Sequence, residues 1–254
     1  MKDKGIGFNR TIFLSWLEAA AEARLRSDDI PAMRKMLEII VSHDLEGIDA
    51  RRKTIDVLVN IWHKSALIDQ ALHAQALAFL PEISSSEHIW LHYGLTLLYY
   101  SFFRQTTAVI GQFARTGEPV TRQAIKSRLA AEIGHLGSLN RSAERVMASL
   151  TDWGLLTHAT KGTQYEPKLQ SIHSGNLNLQ AWLLSCALFA HPAEQLPFPD
   201  LIRLPELFPF KFKVTIDALR ANNKFDIQKQ GMWDMVGTNP QNHNTKSRGA
   251  RRSA

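Results

Sequence analysis

Asn140, Arg141, Ser142 and Arg145 share the first two turns of a stretch whose apolar residues recur at helical spacing. Leu139, Ala143, Val146, Met147, Leu150 and Trp153 fall at i, i+3 and i+4 intervals, which predicts a helix with one buried stripe. Arg141, Arg145, Ala148 and Asp152 fall on the opposite side, with Ser149 beside them. The chemistry open to this polar set is hydrogen bonding to nucleic acid. Arg can reach guanine bidentately, Asn can do the same for adenine, and Ser can meet phosphate oxygens. Arginines on an exposed face are by themselves ordinary solvated charges. Their place at the start of this helix, with Arg122, Lys126 and Arg128 on the helix before it, is what gives them a functional reading.

The flanking segments must position that helix. Thr121 is a good N-cap for RQAIKSRLAAEI (122–133), where Ile125, Leu129 and Ile133 line one face. Before it, TTAVIGQFART (106–116) reads as a helix and GEPV (117–120) as a connector able to form a short strand. GHLG (134–137) is a turn, Ser138 or Asn140 can cap the arginine-bearing helix, and Gly154 sits where helices commonly stop. In the following GLLTHATKGTQYEPK, Leu155–Thr157 starts a strand, Lys161-Gly162 turns, and Thr163–Tyr165 returns. Lys161 and Thr163 then sit at a hairpin tip, within reach of a phosphate or a minor groove.

Three helices followed by a two-stranded wing resemble the winged helix-turn-helix over about 65 residues, Arg104 to Lys168. The resemblance implies binding to double-stranded DNA, with the recognition helix in the major groove. Asn140, Arg141 and Arg145 would enter the groove, and Ser142 and Ser149 would add hydrogen bonds. Arg122, Lys126 and Arg128 would brace the backbone, and Lys161 and Thr163 would make the wing contact. A helical N-terminal half, a long apolar helix and an Arg/Ser-rich helix ending in Gly-Leu-Leu also resemble the A-type accessory protein of BREX phage-exclusion systems (BrxA). That family is mostly helical and binds DNA, so the resemblance implies a phage-defence role without catalytic residues. Transcription regulation is the other role a winged helix implies. An adaptor subunit using the same fold for protein contacts is the alternative.

The charge distribution favours a polyanion partner. The net charge is +6, but residues 1–103 carry 11 Lys/Arg against 13 Asp/Glu, and residues 171–237 carry six of each. Residues 104–170 carry nine against five, and residues 238–254 four against none. The excess sits in the winged-helix segment and the tail, the footprint expected of a phosphate-binding surface.

The expected fold class is mainly α, with an N-terminal helical array over 1–103, the winged helix over 104–169, and a small α+β segment over 170–237. A disordered basic tail is expected over 238–254. Helices are predicted from a cap at Asn9 or Thr11 to Ser27, over Ile30–Ser42, Asp49–Trp62 and Lys64–Phe79, and from Glu87 to Arg104. LPFPDLIRLPELFPFKFKVT (196–215) has too many prolines for a long helix. Thr215 caps a short helix, and KFDIQKQGMWDMVG alternates around Gly231 like a hairpin.

Other chemistry finds little support. There is no G-x-x-x-x-G-K-[ST], G-x-G-x-x-G or G-x-S-x-G, and the chain is read as non-enzymatic. His88 and His92 are four apart on one helix without a carboxylate at matching spacing, Glu18 and Glu22 read as a solvated face, and Asp226 with Lys229 as a surface hairpin. No metal or cofactor is expected. Cys186, the single cysteine, sits in an apolar run and reads as a buried small hydrophobe. A cytoplasmic location follows from cysteine usage, and no secretory signal is read at the N-terminus, where Glu18 and Glu22 interrupt the apolar run. The apolar stretches 94–103 and 177–190 fall short of the roughly 18 residues a membrane span needs. The neutral helical remainder is expected to serve self-association or assembly with protein partners.

Overall fold

The structure, a computed structural model, describes residues 7–134, 137–159 and 163–239 of the 254-residue chain. Five helices come first: α1 (Leu14–Arg26), α2 (Ile30–Val41), α3 (Ile48–Trp62), α4 (Gln70–Phe79) and α5 (His88–Tyr99). Then follow α6 (Ser101–Thr116), β1 (Val120–Thr121), α7 (Arg122–Ile133), α8 (Leu139–Asp152), β2 (Leu156–His158) and β3 (Gln164–Pro167). The C-terminal part holds α9 (Leu177–Ala190), β4 (Gln195–Pro197), α10 (Phe198–Leu201), α11 (Ile216–Arg220), β5 (Phe225–Gln230) and β6 (Trp233–Thr238). The molecule is mainly α with two small antiparallel sheets, as the hydrophobic periodicity predicts.

From α6 to β3 the element order is helix, short strand, two helices and a two-stranded hairpin, with all three strands in one sheet. The strand order is β1-β3-β2, with Val120 opposite Tyr165 and His158 opposite the same tyrosine on the other edge. Thr121 caps α7 as predicted, its hydroxyl accepting from the Ala124 N–H at 3.1 Å. Gly154 adopts φ +72°, and the amides of Gly154 and Leu155 donate to the carbonyls of Thr151 and Leu150. This pair of reverse bonds is a Schellman stop, and only glycine takes that backbone without cost.

Three predicted boundaries move. Neither Asn9 nor Thr11 caps the first helix; the chain stays extended to Phe13, and α1 begins at Leu14. The expected helix from Lys64 to Phe79 splits into a 3-10 turn, Lys64–Leu67, and α4, because the Asp69 carboxylate accepts from the Leu72 amide and restarts the helix. The expected helix from Glu87 to Arg104 breaks at Tyr100, whose ψ of 101° is extended. Its ring meets Phe8 edge-on at 5.3 Å and its hydroxyl accepts from Asn60 at 3.0 Å, so packing outweighs helix propensity there.

One hydrophobic core runs from Phe8 to Val236. The two most apolar stretches lie at its centre, 94–103 across the end of α5 and the start of α6 and 177–190 as α9, and the fit of α5 on α9 needs Gly94: a Cβ there would stand 2.5 Å from the Trp182 ring. Among the described residues, no helix is long and apolar enough to cross a membrane. The proline-rich segment wraps irregularly, through a 3-10 turn at Pro205–Leu207 and a parallel bridge between Ile172 and Phe210, and supplies β4 to the second sheet. That sheet has the order β4-β6-β5, and its β5–β6 hairpin turns at Gly231 as expected. Thr238 closes β6, and the rest of the expected tail, 240–254, lies outside the described residues.

Candidate nucleic-acid interface

Helix α8 buries Leu139, Ala143, Val146, Met147 and Leu150 against α6 and α7 and exposes Asn140, Arg141, Glu144 and Arg145. Among the described residues, neither the Asn140 amide nor the Arg141 guanidinium has a side-chain partner. Among the described residues, Arg145 forms no ion pair and donates to the Thr11 hydroxyl, at 3.3 Å. Two exposed arginines four residues apart therefore flank one glutamate on the open face.

Ser142 and Ser149 do not belong to that face. Ser142 is 1% exposed and Ser149 fully buried, so neither is presented to a duplex. Ser149 Oγ donates to the Arg145 carbonyl at 2.9 Å and accepts from the Ile12 amide at 2.8 Å. The extended N-terminal segment crosses α8 here. Trp153 Nε1 donates to the Ile12 carbonyl at 2.9 Å, and the first amide of α1, from Leu14, donates to Asp152 at 2.6 Å. This strap runs along one side of the C-terminal half of α8, over Ser149 and Trp153, and leaves Asn140, Arg141, Arg145, Ala148 and Asp152 exposed. Sequence reasoning missed it, because its partners lie 137 residues or more apart.

On α7, two of the three expected cations are engaged. Lys126 pairs with Glu144, and Arg128 with Glu132 at 2.8 Å, one turn along the same helix. The hydrogen bond from Lys126 holds the Glu144 carboxyl below its usual range; desolvation opposes this, and the charges of Lys126, Arg122 and Arg145 add to it. Arg122 Nε donates to the Tyr165 hydroxyl at 2.8 Å, and its guanidinium lies 5.9 Å from that ring's centroid. A neutral tyrosine orients this arginine without cancelling its charge. Tyr165 was not singled out from the sequence, nor was His158, which is exposed and packs on that ring at 4.6 Å. Thr163 is exposed at the end of the wing; Lys161 lies outside the described residues.

Away from this face, α5 carries a cluster the sequence hid. Glu18, read as solvated, is about one-third exposed and stands 2.8 Å from His88 Nδ1 and 3.1 Å from His92 Nε2. His92 is fully buried, and the Trp62 indole donates to its Nδ1 at 3.2 Å. Burial pulls the His92 pKa down against the opposing pull of Glu18. Among the described residues, no three His, Cys, Asp or Glu side chains are arranged to hold a metal ion. Cys186 is buried, as expected, and burial pushes its thiol pKa up.

No protein-family model, curated protein or solved structure matches this chain.

Proposed function

We propose that the α6–β3 module binds double-stranded DNA through the open N-terminal half of α8. The observation that carries this reading is the pair Arg141 and Arg145, exposed beside Asn140 at the start of α8 and in no ion pair among the described residues. Arg122, held by Tyr165 at the start of α7, adds a third available cation. In this reading Asn140 and Arg141 meet base edges, Arg145 and Arg122 meet phosphates, and the hairpin with Thr163 reaches toward the next groove. A role in phage defence or transcription regulation rests on the resemblances in the sequence.

A mobility shift at two salt concentrations tests it. With about four phosphate contacts, affinity falls on the order of a hundredfold between about 50 and 200 mM salt. Arg141→Ala with Arg145→Ala weakens binding about tenfold or more at the lower salt. Absence of salt-dependent binding, or indifference to both substitutions, overturns the proposal. A second reading, an adaptor that uses this face for protein contacts, is favoured by Glu132 and Glu144, which neutralise two of the α7 cations. It predicts weak DNA binding and capture of a protein partner that Glu144→Arg disrupts.

A further inference from the structure

A cavity of about 270 Å³ lies where the end of α6, the chain leaving β3 and the proline-rich segment meet. Arg115, from the last turn of α6, and Arg203 both line it, and no carboxylate does. The nearest candidate, Glu206, is buried beside Arg104 at 3.4 Å and lines a different cavity with it. Arg115 spends one Nη2 bond on the Leu204 carbonyl, at 3.1 Å, and the Arg203 guanidinium has no side-chain partner among the described residues. The two guanidinia sense each other. Burial depresses Arg115 most, Glu206 acts in the opposite sense, and Arg203 depresses it further. Like charges lining one concavity, with no anion between them, leave an electrostatic demand unmet.

The rest of the lining has a different character. Leu207 and Phe208 are buried behind the lining, so its apolar floor is the half-buried Ile202 and the exposed Leu169. Gln170 closes the rim with φ +47°, the one positive φ outside glycine among the described residues. Its amide donates to the Phe208 carbonyl at 2.8 Å, which holds the rim in that costly backbone.

We propose that this cavity binds a small organic anion, a carboxylate or phosphomonoester whose oxygens are gripped by Arg115 and Arg203 while its apolar body lies on Ile202 and Leu169. Guanidinium forks match the planar or tetrahedral oxygens of such groups. A phosphodiester backbone would gain nothing from the apolar floor, and the volume suits a metabolite near the lower end of ligand-site sizes. Because the walls come from both the winged-helix module and the proline-rich segment, the ligand ties the two together. This inference does not rest on the DNA reading.

Phenyl phosphate is the probe, titrated into the full chain by calorimetry, with inorganic phosphate beside it. Saturable binding is expected, about tenfold or more tighter for phenyl phosphate than for inorganic phosphate. Arg203→Gln, at an exposed position, weakens phenyl phosphate about tenfold or more without changing the melting temperature of the free protein. Arg141→Ala on α8 leaves phenyl phosphate binding unchanged. The proposal is overturned by absence of saturation, by equal affinity for the two anions, by indifference to Arg203→Gln, or by a loss in Arg141→Ala that matches the loss in Arg203→Gln.

Discussion

Glu144 stands between Arg141 and Arg145 and holds Lys126, so it removes a cation from a surface with few to spare. Glu144→Gln releases Lys126 and removes one negative charge. If the face meets phosphates, affinity rises several-fold and the salt slope steepens by about 0.9 for each added phosphate contact; a mobility shift across a salt series reads both. The opposite experiment concerns Ser149. Ser149→Ala strands the Ile12 amide, which costs about 1–3 kcal/mol in urea unfolding, and, if the face meets DNA, leaves that affinity unchanged, because the hydroxyl never faces solvent. The exposed arc of Arg141, Arg145 and Asp152 was legible in the sequence, and the two serines were misplaced on it. Their signal was present all the same: 142, 146, 149 and 153 repeat at i+4, i+3 and i+4 and continue the buried stripe. Serine fits such a stripe when its hydroxyl bonds back to the preceding turn, as Ser149 does to Arg145.

At the scale of elements, helix existence was readable because apolar spacing and capping chemistry agree, as at Thr121 and Gly154. The break at Tyr100 was not, since it depends on Asn60 and Phe8, which only the fold brings near, whereas the break at Asp69 rests on a local N-cap three residues from its partner amide. Two glycines separate local from tertiary causes. Gly154→Ala meets no atom within 4 Å and suffers backbone strain alone, about 1 kcal/mol. Gly111→Ala would place a Cβ 2.0 Å from the Pro205 carbonyl oxygen, so α6 and the 205–207 turn must part, at a cost of about 3 kcal/mol or more. Denaturant midpoints of the two variants should rank in that order. Nothing in the local sequence around Gly111 announced this contact, which joins residues more than ninety positions apart.

For the whole molecule, the buried histidines set an acid limit. Burial holds the pKa values of His73 and His92 below their ordinary 6.5 in the folded state. The unfolded chain therefore takes up more protons as pH drops through about 6.5, and stability declines from there downward. Glu18 works in a lower window. Burial alone would raise its carboxyl pKa, but His92 and His88 together bring it below 4.5, so its contribution is present above that value and lost as pH falls through the lower folded pKa. Melting temperatures measured from pH 8 to pH 5 should fall on acidification. His92→Gln, which keeps an acceptor for the Trp62 indole, should flatten the curve between about pH 7 and 5.

The strap across α8 bears on how the chain is made. Residues 12–14 leave the ribosome well before the groups that receive them, on Ser149, Asp152 and Trp153, which emerge some 140 residues later. At the pace of translation, on the order of ten residues per second, that is a wait of roughly ten seconds or more. Phe8 finds Tyr100 and Phe103 earlier, but the Ile12 amide and carbonyl must meanwhile wait in water for the Ser149 hydroxyl and the Trp153 indole.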